Sequence, residues 1–105
     1  MAGAPWLSYK QASGHDNKYL KLAKRWGVSK VARSRAGFMG VYARAGSAAR
    51  MKELDFSPSQ TWGRRRDAFV KRHLVQYRAR PTPRRALALR MWAYDTRDGA
   101  LDAYV

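Results

Sequence analysis

Residues 62–77 read WGRRRDAFVKRHLVQY, and how this stretch folds decides the architecture of the chain. Phe69, Val70, His73, Leu74 and Tyr77 follow one another at spacings of 1, 3, 1 and 3, which puts them on one face of an α-helix. Arg64, Arg65, Arg66, Lys71, Arg72 and Arg78 lie mostly off that stripe. Upstream, Ser57 followed by Pro58 predicts a cap and a first helical residue, and downstream Pro81 stops the helix. Thr82-Pro83 repeats the start signal for a last helix to Tyr94, with Leu87, Met91 and Tyr94 on one face and Ala88 and Trp92 beside them. The connection RARPTP is short, so these two helices are expected to be antiparallel neighbours.

Working toward the N-terminus, Gly46-Ser47 closes one segment, and Ser47 caps a short helix through Leu54. Before it, KVARSRAGFMGVYARAG is ambiguous. Val31, Phe38, Val41 and Tyr42 fit one helical face, but Gly37 and Gly40 weaken that helix by roughly 1 kcal/mol each. They mark either a break near Gly37 or a close helix crossing. An earlier helix, capped by Asp16 or Asn17, runs to Trp26 with Leu20, Ala23 and Trp26 in register, and Gly27 suits the left-handed position past its end. Ser29 is read as the cap of the next segment. Residues 1–16 form an irregular arm whose Trp6, Leu7 and Tyr9 anchor it to the body, because Gly3, Pro5, Ser13 and Gly14 discourage regular structure.

Together these signals predict a mainly α fold: one compact bundle of four or five short helices (17–94), an irregular N-terminal arm (1–16) and an acidic C-terminal tail (95–105). The expected core is Leu20, Trp26, Phe38, Phe69, Leu74, Leu87, Met91 and Trp92. The 105 residues suffice for one domain with a modest core, and 46% hydrophobic content argues against disorder.

Lys and Arg number 22 against 7 Asp and Glu, a formal charge of +15. So steep an imbalance predicts a polyanionic partner, nucleic acid first and DNA before RNA. The charge is uneven: +8 over residues 1–56, +9 over 57–94 and −2 over 95–105. The tail either folds back on the basic body or meets another subunit.

The segment LAKRWGVSKVARSR, residues 22–35, resembles a helix-turn-helix in part. Ala23, Gly27 and Val28 fit, yet the position that should carry an apolar anchor in the second helix is Arg33. A plain helical hairpin with basic outer faces accounts for the same residues.

Enzyme chemistry finds little footing, and a non-enzymatic protein without cofactor or metal is expected. There are no cysteines, which excludes disulfides, thiolate zinc and iron–sulfur sites and fits a reducing compartment. His15 reads as a turn or cap residue. His73, on the apolar stripe, reads as a half-buried core histidine. Glu53 and Asp55 read as a solvated helix end rather than a nuclease-like metal pair. Phosphate-binding and dinucleotide glycine patterns are absent, as is Gly-x-Ser-x-Gly. MAGAPWLSYK has no charged region followed by an apolar run, so no secretory signal is expected. No apolar run approaches membrane-spanning length, so no membrane partner is expected either.

What remains is basic residues interleaved with aromatics, in WGRRRDAFVKRH and QYRARPTPRRALALRMWAY. The helical spacing of Trp62, Phe69, Tyr77 and Trp92 assigns them to the core. The phosphate-binding set is Arg64, Arg65, Arg66, Arg72, Arg84, Arg85 and Arg90, with Lys21, Lys24, Arg25 and Lys30 as a second patch.

At GVSKVARSRAGFMGVYARAG and RRRDAFVKRHLVQY…PTPRRALALRMWAY, roughly residues 27–94, the chain resembles uncharacterised small basic proteins encoded by tailed bacteriophages. These pair a VAR…GF…Y.RAG stretch with RR..F..RH and PTRR.LAL..WAY. Here the loop before Pro81 is short, and Ala86 stands where His often follows the Arg pair. The resemblance implies a virion or host-cytoplasm setting. It opens two further readings: a structural virion protein (capsid, portal or internal) gripping acidic protein surfaces, and an inhibitor of a host nucleic-acid enzyme.

Overall fold

A computed structural model describes residues 4–105, so residues 1–3 of the expected arm lie outside the described residues. The chain is mainly α, with α1 (Tyr9–Ser13), α2 (Lys18–Trp26), α3 (Phe38–Ala45), α4 (Ala48–Glu53), α5 (Trp62–Ala79) and α6 (Pro83–Arg90). A two-stranded antiparallel hairpin, β1 (Asp55–Ser57) and β2 (Gln60–Thr61), joins α4 to α5. The Cα radius of gyration, 12.9 Å, is that of a fully packed domain of this length.

The hairpin corrects the expected start of the long helix. Ser57-Pro58 sits in the hairpin turn, where Pro is favoured for its fixed φ. The true cap is Thr61, whose Oγ1 accepts from the Arg64 N–H at 3.2 Å. Thr82, by contrast, does cap α6, accepting from the Arg85 N–H with Pro83 in the first turn. That helix stops at Arg90 rather than Tyr94, and a tight turn with Ala93 at φ 59° comes after it. α5 and α6 pack on each other across the short connection.

No second helix comes directly after α2. Residues 28–37 form successive turns, and α3 starts only at Phe38, which removes the recognition helix of a helix-turn-helix. Ser29 takes a left-handed conformation (φ 55°) instead of capping a helix, and Val31 is 81% exposed. Arg33 turns back so that its Nε donates to the Val28 carbonyl at 2.7 Å. The two glycines are there for close approach: a Cβ at Gly37 would collide with the Val31 carbonyl oxygen, and one at Gly40 with that of Ser34. α3 therefore lies directly on the turn backbone.

The arm is more ordered than its composition implies. Ser8 Oγ accepts from the Gln11 N–H while Gln11 Oε1 accepts from the Ser8 N–H, a capping box that starts α1. Trp6, Leu7 and Tyr9 do anchor it. The Trp6 ring lies 5.6 Å from Phe38 and 5.9 Å from Tyr42, and the Tyr9 ring meets Tyr42 edge-on at 5.8 Å. Leu7 N–H donates to the Ala93 carbonyl, and Tyr42 OH donates to the Leu7 carbonyl. Asn17 stands at the start of α2 but makes no side-chain cap.

Of the expected core, Phe38, Leu87 and Met91 are fully buried, whereas Leu20, Trp26, Phe69, Leu74 and Trp92 are half-buried around it. α2 turns Tyr19, Leu22 and Ala23 inward, so of the expected line Ala23 is buried while Leu20 and Trp26 are half-buried beside it. The tail folds back: Leu101 is buried, Tyr104 meets Trp26 edge-on at 5.0 Å, and Asp98 accepts from Tyr77 OH at 2.5 Å. No helix among the described residues is long and apolar enough to cross a membrane.

The largest fully buried side chain is Arg66, a correction to its place in the expected phosphate-binding set. Its Nε donates to the Trp92 carbonyl (2.8 Å), Nη1 to Ala4 (2.6 Å) and to Asp67 Oδ1 (3.0 Å), and Nη2 to Pro5 and Ala93 (both 2.7 Å). All five guanidinium N–H groups are thereby used. Burial pulls its pKa down, and the hydrogen bond and charge of Asp67 pull it back. Replacing Arg66 with Met strips donors from one buried and three part-buried carbonyls, at about 1–3 kcal/mol for each that is left unsatisfied, so R66M should lose about 3 kcal/mol or more of unfolding free energy in urea. The exposed R64M should stay within about 0.5 kcal/mol of wild type. Similar losses in the two variants would contradict the inward role of Arg66.

Candidate nucleic-acid interface

The phase of α5 is set by what it buries. Trp62, Gly63, Arg66, Val70 and Tyr77 face the body, so the opposite arc faces solvent. Two basic rows run along that arc, Arg64–Lys71–Arg78 and Arg65–Arg72, each at seven-residue spacing. Seven residues advance about 10.5 Å with a lag of only about 20°, so each row stays nearly aligned with the helix axis. Ala68, Val75 and Ala79 occupy the strip between the rows, and Val75 is 66% exposed.

None of the five basic residues in these rows has a carboxylate partner among the described residues; the ion pairs of Lys or Arg found there are Arg66–Asp67 and Arg90–Asp95. Arg65 is steadied by the Phe56 ring, 3.9 Å beneath its guanidinium carbon. Arg65 and Arg72 also line a cleft of about 340 Å³ with Gln60, Ala68, Phe69 and Trp92. Its inner wall belongs to a column of stacked rings: Phe38 on Trp92 (4.9 Å), Trp92 on Phe69 (4.4 Å) and Phe69 on His73 (4.0 Å). His73 is half-buried, as its place on the stripe predicts.

The remaining expected residues separate. Lys21, Lys24, Arg25 and Lys30 are exposed, the first three on the outer arc of α2. Arg84 joins them by donating to the Trp26 carbonyl at 2.8 Å, while Arg85 donates to the Arg80 carbonyl at 2.6 Å; both remain exposed. Arg90 is a second correction. It stacks on Tyr19 (3.7 Å), donates to the Gln11 carbonyl, pairs with Asp95 at 3.7 Å and leaves only 14% of its side chain exposed. It ties α1 and the tail to α6 rather than facing outward. Lys71 and Arg78 belong to the open face, although neither is in the phosphate-binding set expected from the residues alone. Their spacing of seven and fourteen from Arg64 is the signal that places them.

Compared with known protein families, curated proteins and solved structures, the chain matches none.

The stacked position of His73 has a consequence in acid. Burial, and then the charge of Arg72, hold its pKa below the ordinary 6.5. The unfolded chain therefore takes up the proton first as pH falls. The contribution of neutral His73 to stability is whole above about pH 6.5 and is lost progressively below it. Urea unfolding compared at about pH 7.5 and about pH 5.5 should show a smaller acid loss in H73F than in wild type. An equal loss in both proteins would assign the effect to other groups.

Proposed function

We propose that this protein binds nucleic acid through its phosphates, largely without sequence preference. The open face of α5 is the main contact, through Arg64, Arg65, Lys71, Arg72 and Arg78. Lys21, Lys24, Arg25 and Lys30, with Arg84, form the second patch, while Arg85 stays exposed at the α5–α6 connection. The observation that carries this reading is the absence, among the described residues, of any carboxylate partner for the two rows on α5. Side by side on one helix, these charges repel, and a phosphate chain relieves that repulsion while releasing its own counterions. The net charge of +15 adds long-range attraction to any polyanion. The resemblance to small basic phage-encoded proteins sets the activity in a virion or an infected host.

Five phosphate contacts on duplex DNA correspond to a slope of about −4.5 in log affinity against log salt. The triple variant Arg64, Arg65 and Arg72 to Ala should flatten the slope by up to about 3, near one for each arginine replaced. Fluorescence anisotropy with random-sequence DNA across a salt series measures both. Weak binding at the lowest salt would overturn the proposal and hand the surface to an acidic protein partner, as in the virion-component reading. An unchanged slope in the triple variant would remove α5 from the interface.

A further inference from the structure

We propose that α5 binds by lying in the major groove of duplex DNA, with Ala68 and Val75 toward the bases and a basic row against each strand. This rests on the phosphate-binding reading and adds the form of nucleic acid and the groove. At about 100° per residue, Arg64, Lys71 and Arg78 stand to one side of the Ala68–Val75–Ala79 strip, and Arg65 and Arg72 to the other. A helix with its side chains is about 10–12 Å across, and the major groove of B-DNA is about 12 Å wide. A helix seated there meets phosphates on both flanks and base edges along its centre.

The centre of the arc decides between this and other nucleic acids. A face built only for phosphates has no use for an apolar midline, yet Ala68 and Val75 hold the midline here and both are exposed. Short apolar side chains let the helix approach the groove floor and touch thymine methyl groups. Single strands call for aromatic faces on which bases stack. Beside this face those rings are already engaged: Phe69 lies between Trp92 and His73, and Phe56 carries Arg65. Double-stranded RNA is disfavoured by shape, since its major groove is too deep and narrow to admit a helix. The rise from Arg64 to Arg78 is about 21 Å, or about six base pairs of B-DNA.

The test uses the full chain and fluorescence anisotropy at one low salt concentration, with five probes of the same sequence. These are plain duplex DNA, duplex DNA whose cytosines carry glucosylated 5-hydroxymethyl groups that fill the major groove, plain duplex saturated with minor-groove netropsin, duplex RNA, and single-stranded DNA. Affinity should fall about tenfold or more on the glucosylated duplex, the RNA duplex and the single strand, and stay within about twofold with netropsin. Equal affinity for plain and glucosylated duplexes, displacement by netropsin, or a preference for single strands or RNA would each overturn the groove assignment. Steep salt dependence would survive those outcomes, leaving phosphate binding intact. Absence of binding to every probe would bring down both.

Discussion

The Arg66 guanidinium is fully enclosed and donates to carbonyls from two distant parts of the chain, the Ala4–Pro5 arm and the Trp92–Ala93 turn. A buried cation costs several kcal/mol unless its donors are met, and here five donors find five acceptors. Asp67 supplies the one formal counter-charge and is itself fixed by the Trp6 indole N–H at 3.2 Å. The gain is geometric. A planar fork that must satisfy four carbonyls at once fixes the arm, α5 and the turn after α6 in a single arrangement. The same contacts hold Ala93 in a left-handed conformation (φ 59°) that an alanine adopts only when its surroundings impose it.

The aromatic cluster completes what Arg66 begins. Phe38 lies at the start of α3 and touches Trp6, Tyr42, Trp62 and Trp92, rings contributed by four other points in the chain. It reaches that position because Gly37 and Gly40 let α3 settle on the preceding turns. With Arg66 and Phe38 holding the inner side, the rotation of α5 is no longer free. Arg64 and Arg65 must point outward because Arg66 points inward. The open basic face is thus a consequence of the core, and of three adjacent arginines one points in and two point out.

Much of this architecture is legible in the residues, for reasons that can be named. The stripe of Phe69, Val70, His73, Leu74 and Tyr77 marks α5, Thr82-Pro83 marks α6, Ser47 marks α4, and Gly27 marks the end of α2, since each signal rests on local geometry. Ser57-Pro58 misleads because the same pair serves a hairpin turn as readily as a helix start. The mismatch at Arg33 is a sound warning against a helix-turn-helix, and the missing second helix has its cause in Ser29, Gly37 and the turns between. Ser8 and Gln11 carry a capping box that the surrounding Gly and Pro obscure. Arg66 and Arg90 cannot be told from their neighbours by composition. What separates them is long-range: the carbonyls of residues 4, 5, 92 and 93 for the one, Tyr19 and Gln11 for the other.

One helix thus divides its arginines, with Arg66 turned in for structure and Arg64, Arg65 and Arg72 turned out to solvent, where the proposed phosphate contacts would form. Arginine-selective modification with phenylglyoxal, mapped residue by residue with mass spectrometry in the presence and absence of duplex DNA, tests that division most directly. Arg64, Arg65 and Arg72 should react readily in the free protein and be shielded by DNA at low salt, while Arg66 stays unmodified in both until the chain is unfolded. Reaction of Arg66 at the rate of its neighbours, or no shielding of the other three by DNA, would contradict it.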